Sequence, residues 1–293
     1  MKNFWNGRYD VFEYRFDTLY DFTKFIQNTP INRRIFYCTE STKNDTEWTG
    51  TRNFEEAIDL CQSGWSEDFD TLLKLKRRVD EKLLTPMVQK KQFQDVIGFT
   101  PSVPDYLIGN PFNMWNKQNT FNHTCIDIYM NIAFSSETSR KAIYNRGIIV
   151  QSIVDVLQSK GYGVRFCVFE ATTTDDELII SYFNLKGEGE KLNLKKTYFP
   201  LCHPSFVRRL MFRLTEVTPV TNAWIYGYGK PANRSLVQEI INPRPNDIII
   251  TQPSEIGIEG NDIDYDLESF LRHTQLQEIL TKVWRNVYVS TPM

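Results

Sequence analysis

Between Cys125 and Ala171 the chain runs from an apolar strand (Cys125 to Phe134) through a small polar turn, Ser135-Ser136-Glu137-Thr138, into a long helix (Ser139 to Ser159). Lys160-Gly161 then leads into a second apolar strand, Val164 to Ala171. Two strands separated by a helix of this length cannot form a hairpin; they read as a crossover between parallel neighbours. Crossovers of this kind place their polar strand-to-helix turns at the carboxyl edge of the sheet, where α/β proteins bind their ligands. The turn at Ser135 is therefore the first place to look for function, although no motif in the 293 residues specifies a reaction.

The rest of the chain extends the α/β pattern. Leu178 to Leu185 reads as a third strand, antiparallel because only the turn Thr172 to Asp176 precedes it. A helix starts at Pro204, with proline at its tolerated first position, and runs through Leu214. A helix near Arg234 to Ile241, a strand Asp247 to Thr251 and a last helix near Tyr265 to Lys282 follow. Upstream, Asn3 to Phe16 reads as aromatic-rich strands, Thr18 to Gln27 as a helix, and Arg52 to Gly64 and the stretch from Ser66 as two more. Gly98 to Met114 holds three prolines and two glycines, yet Val103, Tyr106, Leu107, Phe112 and Met114 are too apolar for a linker. It reads as an ordered loop wrapped over a core. The expected division is a mixed N-terminal region, 1–118, ending in that loop, and an α/β domain, 119–293.

Composition removes several classes of function. With 34 basic against 36 acidic residues the formal charge is -2, which gives no global attraction to nucleic acid or anionic lipid. No apolar run approaches the roughly 20 residues of a membrane-spanning helix, so no membrane role is expected. Five scattered cysteines without a Cys-x-x-Cys pair argue against a disulfide framework and a zinc site, and favour a reducing cytosol. The first 30 residues carry Asp10, Glu13, Asp17 and Asp21 among aromatics, unlike a secretion signal. The aromatic richness, 20 Phe, 14 Tyr and 6 Trp, leans towards a subunit interface, and so allows an oligomer.

The order strand, long helix, strand, antiparallel strand, helix, strand, helix resembles a von Willebrand factor A-type domain. Metal-binding members carry Asp-x-Ser-x-Ser at the end of the first strand, because a hard cation needs a carboxylate and hydroxyls on one rigid edge. Here Asn131, Ala133 and Ser135 fall at those positions, and two of the three lack that oxygen chemistry. Asp127 lies four residues too early. The resemblance thus implies a degenerate, Rossmannoid sheet flanked by helices, with no metal and no cofactor.

The whole chain also resembles a family of uncharacterised proteins of tailed bacteriophages and prophages. The likeness rests on Trp48-x-Gly50, Gly64-Trp65, the Gly/Pro run from Gly98 to Met114, Arg146-Gly147, and His203-Pro204-Ser205-Phe206-Val207-Arg208-Arg209-Leu210. It implies a viral source, the cytoplasm of the infected bacterial host or the virion as location, and no mechanism.

Around Pro204 two readings compete. In one, the helix start with His203 and the guanidinium groups of Arg209 and Arg213, four apart on one helical face, grips an anion, with Arg208 beside them as a candidate partner or anion contact. In the other, His203 caps the helix and the arginines pair with Glu170, Asp175 or Glu216, holding the helix to the sheet. The second is favoured, since the arginines lie a turn or more inside the helix. Cys202-His203 is a poor nucleophile pair, Gly227 to Pro231 lacks a phosphate-loop context, and the acidic run Glu255 to Asp266 lacks calcium-loop spacing and reads as exposed.

The function expected is non-enzymatic: a phage protein for protein-protein interaction or assembly. Its polar sheet edge (Asn131, Ser135, Ser136, Thr138) and basic helix (Arg208, Arg209) would contact a protein partner, such as a phage or host ATPase or a virion component. The alternative is a nucleic-acid-binding or nucleic-acid-processing protein drawing on Lys74 to Arg78, Arg208 and Arg209.

Overall fold

A computed structural model describes residues 1–33, 39–65, 69–83, 92–117, 125–221, 228–274 and 276–289. His123, Cys38, Gly227 and the capping residue Ser66 lie outside them.

In chain order, strands β1 (Lys2–Trp5) and β2 (Asp10–Phe16) precede helix α1 (Leu19–Asn28), which Thr18 caps by accepting from the Asp21 amide. Short α2 (Thr46–Thr49), α3 (Phe54–Ser63) and α4 (Phe69–Lys82) follow. Asn53 caps α3, and Gly64, at φ 86°, ends it in a conformation only glycine adopts without strain. A projection then comprises β3 (Gln92–Asp95), β4 (Thr100–Pro101), α5 (Val103–Leu107) and β5 (Met114–Lys117).

The crossover itself is β6 (Cys125–Asn131), α6 (Arg140–Ser159) and β7 (Gly163–Thr173), followed by β8 (Glu177–Lys186). Next come α7 (Leu194–Cys202), a π-helical stretch (Phe206–Met211) continuing into α8 (Phe212–Val217), β9 (Lys230–Pro231), α9 (Arg234–Ile241) and β10 (Ile248–Ile250). Helices α10 (Ile263–Thr274) and α11 (Leu276–Val289) occupy the place of the single last helix expected. Helix α7 is not expected from sequence, because Pro200 sits inside it and reads as a breaker.

One mixed seven-stranded sheet runs β1-β2-β8-β7-β6-β10, with β9 paired to the far end of β7. β6 pairs in parallel with both β7 and β10, and β8 lies antiparallel to β7, as the short connection requires. β2 pairs in parallel with β8 through seven registered residues, so strands from both sides of residues 118/119 share this sheet. The chain is thus α/β, with a mixed sheet flanked by helices. One face is covered by α1, α3, α4, α6, α7 and the π stretch over the main core; the other holds a smaller core under α9. Helix α6 is buried almost all round, from Ala142 to Leu157, as a helix must be when a sheet and other helices enclose it.

Three of the five basic residues of α4 are engaged by neighbours, while Lys74 and Arg77 stand exposed. Lys76 pairs with Asp155 at 2.6 Å, Arg78 with Asp264 at 2.6 Å and Lys82 with Glu268 at 2.6 Å. The acidic run is only partly exposed: Asp266 is buried and accepts from Asn145 Nδ2 and from the amides of Glu259 and Gly260.

The segment 92–117 departs from expectation. It does not wrap over a core but forms its own three-stranded sheet, β3-β5-β4. The Asp105 carboxylate, accepting from Ser102 Oγ and Gln94 Nε2, and the Ser102 amide, donating to Asn113 O at 2.6 Å, hold it in shape. Val96, Ile97, Phe99, Val103, Tyr106, Leu107, Ile108 and Phe112 are all more than half exposed on it.

Candidate functional site

The polar turn after β6 is held from beneath. Asn131 is fully buried; its Oδ1 accepts from the Ala133 amide at 3.0 Å and the Ala171 amide at 3.3 Å. Arg146 Nη1 donates to Asn131 O and Thr251 O, both at 3.0 Å, and so ties the carboxyl ends of β6 and β10 together. Burial alone brings the Arg146 guanidinium down to about 9, opposed only by Cys202. These two residues build the edge rather than present a contact. Ser135 and Ser136 stand exposed on the turn above, and Ser139 caps α6 by accepting from the Ala142 amide.

The two consecutive arginines sit on the π stretch, where the wider turn directs them to different acceptors. Arg208, 3% exposed, donates from Nη1 to Trp48 O at 2.6 Å and from Nη2 to Thr138 O at 2.8 Å, and its guanidinium lies 4.7 Å from the centre of the Trp48 ring. Burial, then Arg140, lowers its pKa to about 10. Arg209 is completely buried. It gives Nε to Thr51 Oγ1, Nη1 to Ser41 O and Lys43 O, and Nη2 to Thr49 Oγ1 and Thr51 O. All its donors serve the loop 41–51, which takes it away from any surface contact.

His203 does not face a ligand either. It stacks on Phe199 at 5.0 Å, meets the edge of Trp65 at 4.8 Å, and its Nδ1 accepts from the Ser205 amide at 3.2 Å. Burial, with Arg140 nearby, pulls its pKa down to about 4, so it is neutral at pH 7 and offers an anion no charge. Of the carboxylates proposed for the arginines, Glu216 takes Arg213 at 2.9 Å and also accepts from Ser41 and Tyr228. Glu170 takes none.

Between the β6 turn and the π stretch opens a cleft of about 410 Å³. Glu170 and Thr172 of β7 line it from the sheet, Ser135 and Ser136 from the turn, Trp48, Phe212 and Tyr228 as aromatic walls, with Arg208 and Lys230 also on it. Phe212 and Tyr228 stack at 4.4 Å. The Glu170 carboxyl is 2% exposed and has no hydrogen-bond partner among the described residues for its Oε2. Burial, with no charged neighbour contributing, pushes its pKa up to about 8.

The expected site residues are thus divided: Ser135, Ser136 and Arg208 meet at the cleft, Thr138 contributes a carbonyl to Arg208, Asn131 supports the edge, and His203 and Arg209 are turned inward. Glu170, Thr172, Trp48, Phe212 and Tyr228 were not expected there. The one signal was Glu170 itself, a lone carboxylate within an apolar strand. Asp127, on the other face, is claimed by Arg165 at 2.7 Å and Arg244 at 2.5 Å. Among the described residues no three His, Cys, Asp or Glu side chains gather where they could share a metal ion, and no helix is long and apolar enough to cross a membrane.

Residues 6–278 match a family model described as a domain of unknown function, DUF7192. The chain belongs to that family. The DUF7192 match runs from β2 to the first residues of α11, and so takes in the projection, the cleft and both sides of residues 118/119. No curated protein and no solved structure matches the chain.

Proposed function

We propose that this DUF7192 protein acts by docking: a non-enzymatic interaction or assembly protein whose contact surface is the projection 92–117. The observation that carries this reading is the eight large apolar side chains exposed there, with Ile97, Leu107 and Ile108 each more than three-quarters exposed. Eight such side chains, each more than half exposed, together offer several hundred Å², on the order of the ~800 Å² each partner buries in a standard interface. Exposed apolar surface on this scale marks an interaction site.

The occupant we assign is a second copy of the chain. Between Gln92 and Lys117 the only charged residues are Asp95, Asp105 and Lys117, and Asp105 is engaged within the projection. An apolar face with so few charges meets its own image with little repulsion, and an isologous pair closes on itself. The strand order β8-β7-β6-β10 with a helical crossover supports the von Willebrand factor A-like reading of 119–293. The sequence likeness supports a phage source, with an ATPase or virion component as the heterologous partner. Nucleic-acid binding is less favoured, because Lys76, Arg78, Lys82, Arg208 and Arg209 already serve acceptors of this chain.

Sedimentation velocity tests the reading. The wild type is expected to dimerise in the micromolar range and the Ile97→Asp/Leu107→Asp variant to sediment as a folded monomer. A wild type that stays monomeric at about 100 µM overturns the second-copy assignment; capture of one defined phage or host protein, lost in the same variant, would then reassign the surface to that protein.

A further inference from the structure

Three neighbouring oxygens on the helix-covered face of the sheet lack a hydrogen-bond partner among the described residues: Glu170 Oε2, Thr172 Oγ1 and Ser181 Oγ. Glu170 and Thr172 are two apart on β7 and so point the same way, and Ser181 of β8 is the cross-strand partner of Glu170. Glu170 is 2%, Thr172 7% and Ser181 0% exposed. Buried polar atoms are nearly always satisfied in folded proteins, so three together, two of them lining a cleft, point to a group that comes from outside the chain.

The chemistry of that group follows from what the floor offers. It holds a carboxyl and two hydroxyls, which can all accept, and no fixed donor. The walls are the rings of Trp48, which already carries the Arg208 guanidinium, and of Phe212 and Tyr228, which stack on each other; aromatic rings of this kind attract cations. The other charged or titratable groups on the cleft are Glu40, Arg208, Tyr228 and Lys230. Glu40 pairs with Lys43 at 3.2 Å, Tyr228 donates to Glu216 at 2.6 Å, Lys230 is exposed, and Arg208 directs its Nη atoms to backbone carbonyls while its buried Nε has no hydrogen-bond partner among the described residues. Glu170 is left as the acid without a counter-ion.

We propose that the cleft binds a small organic cation rich in N–H donors, an ammonium or guanidinium group, with Glu170 as its counter-ion and Thr172 as a second acceptor. The volume, about 410 Å³, lies within the range of small-ligand sites. Because the carboxyl titrates near 8, it is mostly protonated at pH 7; the arriving cation takes the carboxylate as partner and the carboxyl proton leaves to solvent. The site is separate from the projection, so this inference stands or falls independently of the docking reading.

Calorimetry with agmatine at pH 7, in phosphate and in Tris, provides the test. Binding is expected with a buffer-dependent heat equal to release of nearly one proton. N-butylurea, an uncharged planar counterpart, should bind at least about tenfold more weakly, and Glu170→Gln should lower agmatine affinity about 10–100-fold and abolish the proton release. N-acetylarginine amide distinguishes the source of the cation: binding equal to agmatine assigns the site to a partner's side chain, and binding of agmatine alone assigns it to a free metabolite. No heat with either cation up to about 10 mM, equal binding of agmatine and N-butylurea, or unchanged binding to a folded Glu170→Gln variant overturns the proposal.

Discussion

Gly147 lies in α6 where α7 crosses it, and replacing it with alanine tests how that crossing is set. A Cβ on residue 147 would stand 2.5 Å from Leu201 O, 2.5 Å from Cys202 Sγ and 2.7 Å from Leu201 C. Optimal contacts lie near 3.5–4.0 Å, so the two helices would have to part by roughly 1 Å. Overpacking of this kind costs about 1–3 kcal/mol, while the better helix propensity of alanine returns about 1 kcal/mol. The obstacle is partly a backbone carbonyl inside α7, which no rotamer change can move, so the upper end applies. A net loss of about 2 kcal/mol follows. Urea unfolding followed by circular dichroism measures it. Adding Cys202→Ala removes the sulfur but not the carbonyl, and should restore only part of the loss. A Gly147→Ala variant as stable as the wild type would refute the reasoning, since the missing side chain would then not set the spacing. The same glycine follows Arg146, which clamps β6 to β10, so a shifted α6 should also loosen the edge that carries Ser135 and Ser136.

Glu170 makes stability pH-dependent with a definite sign. Its folded pKa of about 8 exceeds its unfolded value near 4.5, so the unfolded chain loses the proton first and stability falls as pH rises between those values, by several kcal/mol at most. His203 acts oppositely: its folded value of about 4 lies below 6.5, so its contribution is complete above pH 6.5 and is lost as pH falls towards 4. Denaturant midpoints between pH 6.5 and 8 isolate Glu170; the wild type should weaken over that window and Glu170→Gln should not, and equal slopes would contradict the assignment. Arg209→Met leaves five acceptors of the loop 41–51 without their donor and should cost about 3 kcal/mol. Limited trypsin digestion should then cut sooner after Lys43, and an unchanged rate would show that the loop is held by something else.

The elements most legible in the sequence were those whose signal lies in neighbouring residues. The apolar runs Cys125 to Phe134 and Val164 to Ala171, the long helix between them, and the short turn before β8 specify strand, helix, parallel pair and antiparallel return from local chemistry alone. Even the end of α3 at Gly64 is written there, because the backbone needs a glycine. Two kinds of feature were not. Val103, Tyr106, Leu107 and Phe112 carry no mark of which side they face; apolar character suggested a covered loop, and the pairing β3-β5-β4 turned them outward.

The cleft was legible only in part, for a related reason. The polar turn at Ser135 could be placed at a sheet edge by the crossover pattern, since connection length dictates it. That Arg208 would join it, that Arg209 would be consumed by the loop 41–51, and that Trp48 and Glu170 would face one another's neighbourhood depended on contacts between residues far apart in the chain. A periodicity reports the face on which a side chain lies within its own element; what stands opposite that face is decided by how strands pair and helices cross. Composition and spacing therefore determined an α/β molecule with a polar edge, while the tertiary structure alone decided that an unpaired acid lies beneath that edge and that large apolar side chains of 92–117 stand exposed.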